Sequence, residues 1–165
     1  MSQSVRIRRL TVADLDSARA LRLESLLDSP MAFGSLYEDT LMQPDEWWQT
    51  WISGGATFAA SDTSGDVGIV RVQALDEHPD DVAMLYSMWV APRARGRGVG
   101  EALVRECVQW ARHVGFNDVQ LAVVENNERA VQLYVRCGFR RTGRVEVRER
   151  DGVVIAEMSL AIASD

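Results

Sequence analysis

Apolar and polar residues alternate from Val5 to Arg9, the period-two pattern of a half-buried strand. The period then changes. Leu15, Ala18, Leu21, Arg22 and Leu26 share one face of a helix predicted over residues 13–27, with Thr11 as its cap and Pro30 as its end. Residues 31–40 read as irregular, with Gly34 and scattered aromatics. Pro44-Asp45-Glu46 then opens a short helix carrying Trp47, Trp48 and Trp51, a spacing more typical of core than of a ligand cage. Residues 57–61 and 67–74 read as strands around the turn Asp62-Thr63-Ser64-Gly65, and a polar connection over 76–81 leads into an apolar strand, Met84 to Val90, broken by Pro92. Val99, Leu103, Cys107, Trp110, Ala111 and Val114 recur at helical spacing. A strand over 119–124, a helix over 127–136 closed by Gly138, and a hairpin over 145–148 and 153–161 around Asp151-Gly152 complete the chain.

This order predicts a single α+β domain over residues 1–165: a mostly antiparallel, twisted sheet of about seven strands with about four helices. One strand-helix-strand unit, residues 84–124, must be parallel and right-handed. No internal repeat appears. At 165 residues, with 47% apolar and 25% charged residues, the chain has the composition of one ordinary globular domain.

No apolar run reaches the ~20 residues of a membrane span, and the segment Ser2 to Arg8 lacks a secretory leader's apolar stretch. A cytoplasmic location, without a membrane partner, is the expectation. Cys107 and Cys137 are then expected reduced, and His78 and His113 stand apart from any ligand-spaced cluster, so no metal is expected. A net charge of −6 argues against nonspecific nucleic-acid binding. A monomer or homodimer is expected.

Candidate chemistry is concentrated in Arg95-Gly96-Arg97-Gly98-Val99-Gly100, placed between a predicted strand and a predicted helix. Glycines expose main-chain amides, and a helix N-terminus adds unsatisfied N–H groups, so an anion can be held by backbone alone. An ordinary tight turn would read similarly. A Walker-type loop is excluded because Gly100 is followed by Glu101 and Ala102 rather than Lys and Ser or Thr. A dinucleotide fingerprint needs its third glycine one place later. Arg93, Arg95, Arg97, Arg140, Arg141 and Arg144 supply local positive charge; Arg140 and Arg141 are read as solvated.

Arg95, Gly98 and Gly100 fill the pattern Arg/Gln, two residues, Gly, one residue, Gly/Ala. The segment from Asn127 to Phe139 adds Asn127, Ala130, Leu133-Tyr134 and Gly138-Phe139. In both elements the chain resembles the GNAT superfamily of N-acetyltransferases. The resemblance implies acetyl-CoA as cosubstrate and splayed strands at 84–90 and 119–124, with the pantetheine arm in the gap. It implies cofactor contacts from Met88, Trp89, Val90, Arg95, Gly96, Arg97, Gly98, Val99, Gly100, Glu101 and Asn127. It also implies an oxyanion donor at the Met88 N–H and a general acid in Tyr134. Asn127 serves the pantetheine or caps its helix, and without the motif Tyr134 would be read as core.

The implied activity is acetyl transfer to a primary amine, on a small molecule or a peptide, by direct attack in a ternary complex. The alternative is a non-catalytic coenzyme-A-binding sensor or interaction module on the same fold. That alternative gains from the missing base: ribosomal-protein acetyltransferases of the superfamily carry a glutamate five residues before the asparagine, where this chain has Ala122. Glu125, Glu38, Glu24 or water are the candidates in its place. Segment 30–39 resembles the loop that walls the acceptor pocket, so Phe33, Tyr37 and Glu38 are candidate acceptor contacts, the aromatics against a cationic amine, and Glu125, a candidate base, joins them on the substrate side.

Overall fold

In the computed structural model, which describes residues 4–162, the alternating segment is strand β1 (Arg6–Leu10) and the helix after it is α1 (Leu15–Asp28). Ser2 and Gln3 of the segment read for a leader lie outside the described residues. The Thr11 hydroxyl accepts from the Ala13 N–H at 3.3 Å, and Asp14 accepts from the Thr11 N–H at 2.8 Å. Those reciprocal bonds wind residues 12–14 as a 3-10 turn, so α1 starts at Leu15 rather than at residue 13.

The stretch read as irregular contains a 3-10 turn, Pro30–Ala32, and a five-residue helix α2 (Tyr37–Leu41). A helix that short has too few positions to show a period. Helix α3 (Asp45–Ser53) follows Pro44 as expected. Strands β2 (Ala56–Asp62) and β3 (Gly65–Leu75) form the predicted hairpin, closed by the Ser64 N–H and hydroxyl donating to Asp62 Oδ1 at 2.7 and 2.6 Å. Strand β4 (His78–Val90) begins inside the predicted connection. There follow α4 (Val99–Val114), β5 (Asp118–Val124), α5 (Glu128–Arg136), β6 (Arg140–Val147) and β7 (Val154–Ala161).

The seven strands form one sheet in the order β1-β2-β3-β4-β5-β7-β6, antiparallel except where β4 meets β5. Helix α4 buries Val99, Leu103, Cys107, Val108 and Ala111 against it, whereas Val114, counted on the same face from sequence, is exposed in the last turn. Gly68 on β3 lies under Leu103. Arg71, three positions on and of opposite parity, therefore points to the other face, toward α1 and α3. There Trp48 and Ile52 of α3 and Leu21 of α1 are buried.

Two irregularities open the sheet. The parallel pair is joined only over Val82 with Asp118, Ala83 with Val119 and Met84 with Gln120, so beyond Met84 the strands part. On the β3 side, Arg71 pairs with Tyr86 but Ile69 with Trp89. Strand β4 thus carries one extra residue, a bulge around Ser87 and Met88. Ser87 has φ 59° and is the one non-glycine at positive φ among the described residues.

Candidate functional site

The gap between β4 and β5 is a cleft with two chambers, of about 500 and 650 Å³. Phe33, Met88, Asn127, Ala130 and Tyr134 line both. The bulge of β4 and one face of α5 therefore stand where the chambers meet.

The larger chamber is walled by the glycine loop. Gly98 sits at φ 79°, ψ 10°, at the N-terminus of α4, and no side chain caps that helix. The first intrahelical bond runs from the Ala102 N–H to the Gly98 carbonyl at 3.1 Å. The amides of Val99, Gly100 and Glu101 at the mouth of a sixteen-residue helix face the chamber with its positive dipole end. A Cβ at Gly96 or Gly98 would meet nothing within 4 Å, whereas one at Gly100 would lie 2.9 Å from Leu133 Cδ2 and 3.2 Å from Met88 Cε. Open room in front of bare amides, with α4, α5 and β4 meeting at Gly100, fits a diphosphate held by main chain. Arg129 and Arg136 of α5 also line this chamber.

Of the predicted contacts, Trp89, Val90, Arg95, Gly96, Gly98, Val99, Gly100 and Glu101 line it, and Arg97 does not. Arg97 pairs with Asp62 at 2.7 Å. The Arg95 side chain is turned to the protein: Nε donates to the Val90 carbonyl at 2.9 Å and the guanidinium to Asp28 at 2.7 Å. Arg93 bonds the Asp66 carbonyl, Arg141 pairs with Glu125 at 3.3 Å, Arg144 lies 3.9 Å from Glu157, and Glu101 pairs with Arg136 at 2.8 Å.

Tyr134 is buried beside Phe139, its ring edge-on at a centroid distance of 6.0 Å. Burial pushes its phenol well above the ordinary tyrosine value, with Cys107 and Cys137 adding to the effect. The proton therefore stays on oxygen throughout the neutral range. Asn127 caps α5, its side-chain oxygen accepting from the Ala130 N–H at 3.3 Å.

In the smaller chamber Phe33 is present but faces a protein cation. The Arg22 guanidinium lies 4.7 Å over its ring, and that of Arg71 lies 4.3 Å over the ring of Trp51. Tyr37 and Glu38, at the start of α2, are not among the residues lining either chamber; nor are Glu125, held by Arg141, and Glu24, held by Arg93 at 3.7 Å. No Asp or Glu lines the smaller chamber among the described residues.

The sequence profile described as the Acetyltransferase (GNAT) family matches residues 21–139, well over half of the chain. The chain belongs to that family. N-acetyltransferase 8B of Mus musculus is 33% identical over 93 residues, covering 54% of this chain and 40% of that protein. A mycothiol acetyltransferase of a Parafrankia species is 43% identical over 63 residues, 38% of this chain and 20% of that one. The chain thus spans well under half the length of these curated relatives. A GCN5-related N-acetyltransferase from Kribbella flavida superposes with a TM-score of 0.74 at 27% identity, over 95% of this chain and 97% of the other. A Salmonella typhimurium protein solved with acetyl-CoA superposes at 0.79 and 17% identity, over 98% and 96%.

Sequence reading of this GNAT chain missed Arg22, Arg71, Trp51, Arg129 and Arg136. Arg129 and Arg136, seven apart on α5, carry a helical spacing that could have placed them beside the loop. Arg22 was visible as a cation on the apolar face of α1, and Arg71 as one inside an apolar strand. Either could have been questioned as a buried charge.

Proposed function

We propose that this GNAT protein transfers the acetyl group of acetyl-CoA to a primary amine by direct attack in a ternary complex. The observation that carries the reading is the meeting of the two chambers at Met88 and Tyr134. The amides of Gly98 to Glu101 would hold the diphosphate in the larger chamber. The unpaired side of β4 beyond Met84 offers main-chain groups to the amide-rich arm, as a sheet edge takes an added strand.

Bound acetyl-CoA supplies the activated acyl carbon. The bulge turns the main chain at Ser87 and Met88, and the Met88 N–H is assigned to the carbonyl oxygen that gains charge when an amine attacks. The amine nitrogen forms the new C–N bond and gives up its surplus proton to water, the C–S bond breaks, and Tyr134 donates to the departing sulfur and is reprotonated from water. With no carboxylate on the smaller chamber's walls, the ammonium proton leaves to water before attack.

That same lack of a base favours a second reading, a coenzyme-A-binding sensor on the same fold. Release of free thiol from acetyl-CoA across a panel of amines separates the two. Acceleration by an acceptor supports transfer, and tight coenzyme binding with no acceleration by any acceptor supports the sensor.

A further inference from the structure

We propose that the smaller chamber takes an amine whose own oxyanion, a carboxylate or phosphonate, is received by Arg22 and Arg71; this rests on the acetyl-transfer reading of the cleft. Arg22 is 5% exposed and Arg71 8%, the two least exposed charged residues among those described. Both line the chamber, Arg22 from α1 and Arg71 from β3. Arg22 Nη1 and Arg71 Nε are buried with no hydrogen-bond partner.

Elsewhere among the described residues Arg95, Arg97, Arg141 and Arg148 each sit on a carboxylate. These two have none. Arg71 donates to Gln73 Oε1 at 2.9 Å and has Tyr86 near enough to favour its charged form, and each guanidinium lies over an aromatic ring. Both are lowered to about 10, chiefly by burial; at Arg22 the positive charge of Arg71 adds to the effect, and at Arg71 Tyr86 opposes it. Even so displaced, both stay charged near neutrality. Two buried like charges with unsatisfied N–H groups are costly in the empty protein, and an anion entering between them relieves desolvation and repulsion together.

A guanidinium fork matches the paired oxygens of a carboxylate or phosphonate. The ammonium end of an acceptor is repelled by the same two groups. It is therefore turned away from them, toward the rest of the chamber, where Ser87 and Met88 lie. The wall is preset: Arg148 donates to the Phe33 carbonyl at 3.0 Å and the Met31 carbonyl at 2.9 Å, and Arg150 to the Phe33 carbonyl at 2.8 Å. Phe33 is thereby fixed over Arg22 from the far end of the chain. Free amino acids and aminophosphonates are the substrate class that this arrangement selects, and polyamines the class it rejects.

The test uses the whole chain with acetyl-CoA and a matched panel: L-amino acids, their aminophosphonate counterparts, their primary amides and the corresponding decarboxylated amines. Turnover is read as thiol release, and binding by calorimetry in the presence of coenzyme A. Acids are expected to exceed their amides by about tenfold or more in kcat/KM, because an amide leaves the guanidinium N–H groups unpaired. Arg71→Gln should collapse that preference and Arg71→Lys restore part of it, with circular dichroism verifying the fold. Equal use of acids and amides overturns the arginine site and leaves acetyl transfer standing. Acids that bind the unsubstituted protein but not Arg71→Gln, with no turnover of any amine, retain the arginine site and overturn acetyl transfer. Loss of acid binding to neither variant, or none to the unsubstituted chain, overturns the site on grounds independent of activity.

Discussion

Trp89 and Arg95 meet on a single oxygen: Asp28 Oδ2 accepts from the indole Nε1 at 3.0 Å and from the Arg95 guanidinium at 2.7 Å. Strand β4, the loop and the end of α1 are joined there. In the superfamily pattern Arg95 opens the phosphate motif, and in this fold its guanidinium shapes the loop by binding Asp28 and the Val90 carbonyl.

Asp28→Asn is therefore expected to loosen the loop without touching a ligand. Coenzyme affinity should fall by up to about tenfold, roughly 1.4 kcal/mol, with a lower Tm, read by calorimetry and thermal melts. The Trp89 bond, and then those of Ser29 and Arg95, outweigh burial and hold the Asp28 carboxyl below the usual carboxylate range. A depressed acid stabilises the fold above its unfolded pKa and loses that contribution as pH falls through the folded value. The Tm gap between wild type and variant should accordingly be full at neutral pH and shrink on acidification below about 4.

Gly98 and Gly100 should fail for different reasons. Gly98→Ala meets no neighbour but must hold a left-handed backbone, at a cost of about 1 kcal/mol; coenzyme affinity should weaken as the loop relaxes. Gly100→Val places a side chain against Leu133 and Met88 and should weaken it further by wedging α4 from α5. Unchanged calorimetric affinity in both would remove the loop from phosphate binding.

The order of strands and helices was legible because each element repeats its period for long enough to be seen: α4 over sixteen residues, the β2–β3 hairpin around a turn rich in Asp, Ser and Gly. Helix α2, with five residues, was not. The glycine loop and the Asn127–Phe139 segment could be read because their chemistry is local. The smaller chamber could not. Arg22, Trp51 and Arg71 come from three elements, and the Phe33 wall is anchored by Arg148, 115 residues away. Phe33 lines the smaller chamber, but the cation over its ring is Arg22, a contact between two elements that no local spacing records.

Tyr134→Phe should lower kcat by about a hundredfold, the lower end for a proton donor, while coenzyme Kd stays within about twofold. The modest size follows from burial. A phenol raised well above its ordinary value is a firm hydrogen-bond donor but a reluctant acid toward a thiolate whose reference pKa is about 8.5. Because a raised acid keeps its proton, the rate should climb with pH as the acceptor amine deprotonates. It should show no falling limb from this tyrosine below about pH 10. Equal kcat in the variant would remove Tyr134 from the chemistry.

Arg22 and Arg71 predict an opposition between stability and function. In the protein without ligand, each is a buried cation with an unpaired nitrogen, and its lowered pKa means that the folded state holds the proton less tightly than the unfolded chain does. The penalty is fully present below about pH 10, where both states are charged. Arg22→Met removes the buried charge and leaves an apolar side chain, two atoms shorter, on the side of the Phe33 ring. It should raise the Tm of the unliganded protein by a few degrees, about 1–2 kcal/mol, as replacement of buried ions by apolar side chains does elsewhere. It should also abolish the stabilisation that a bound acidic amine gives the wild type. Melts with and without an amino acid, at fixed coenzyme concentration, measure both arms. A variant that is destabilised in each would mean that Arg22 serves the core rather than a ligand.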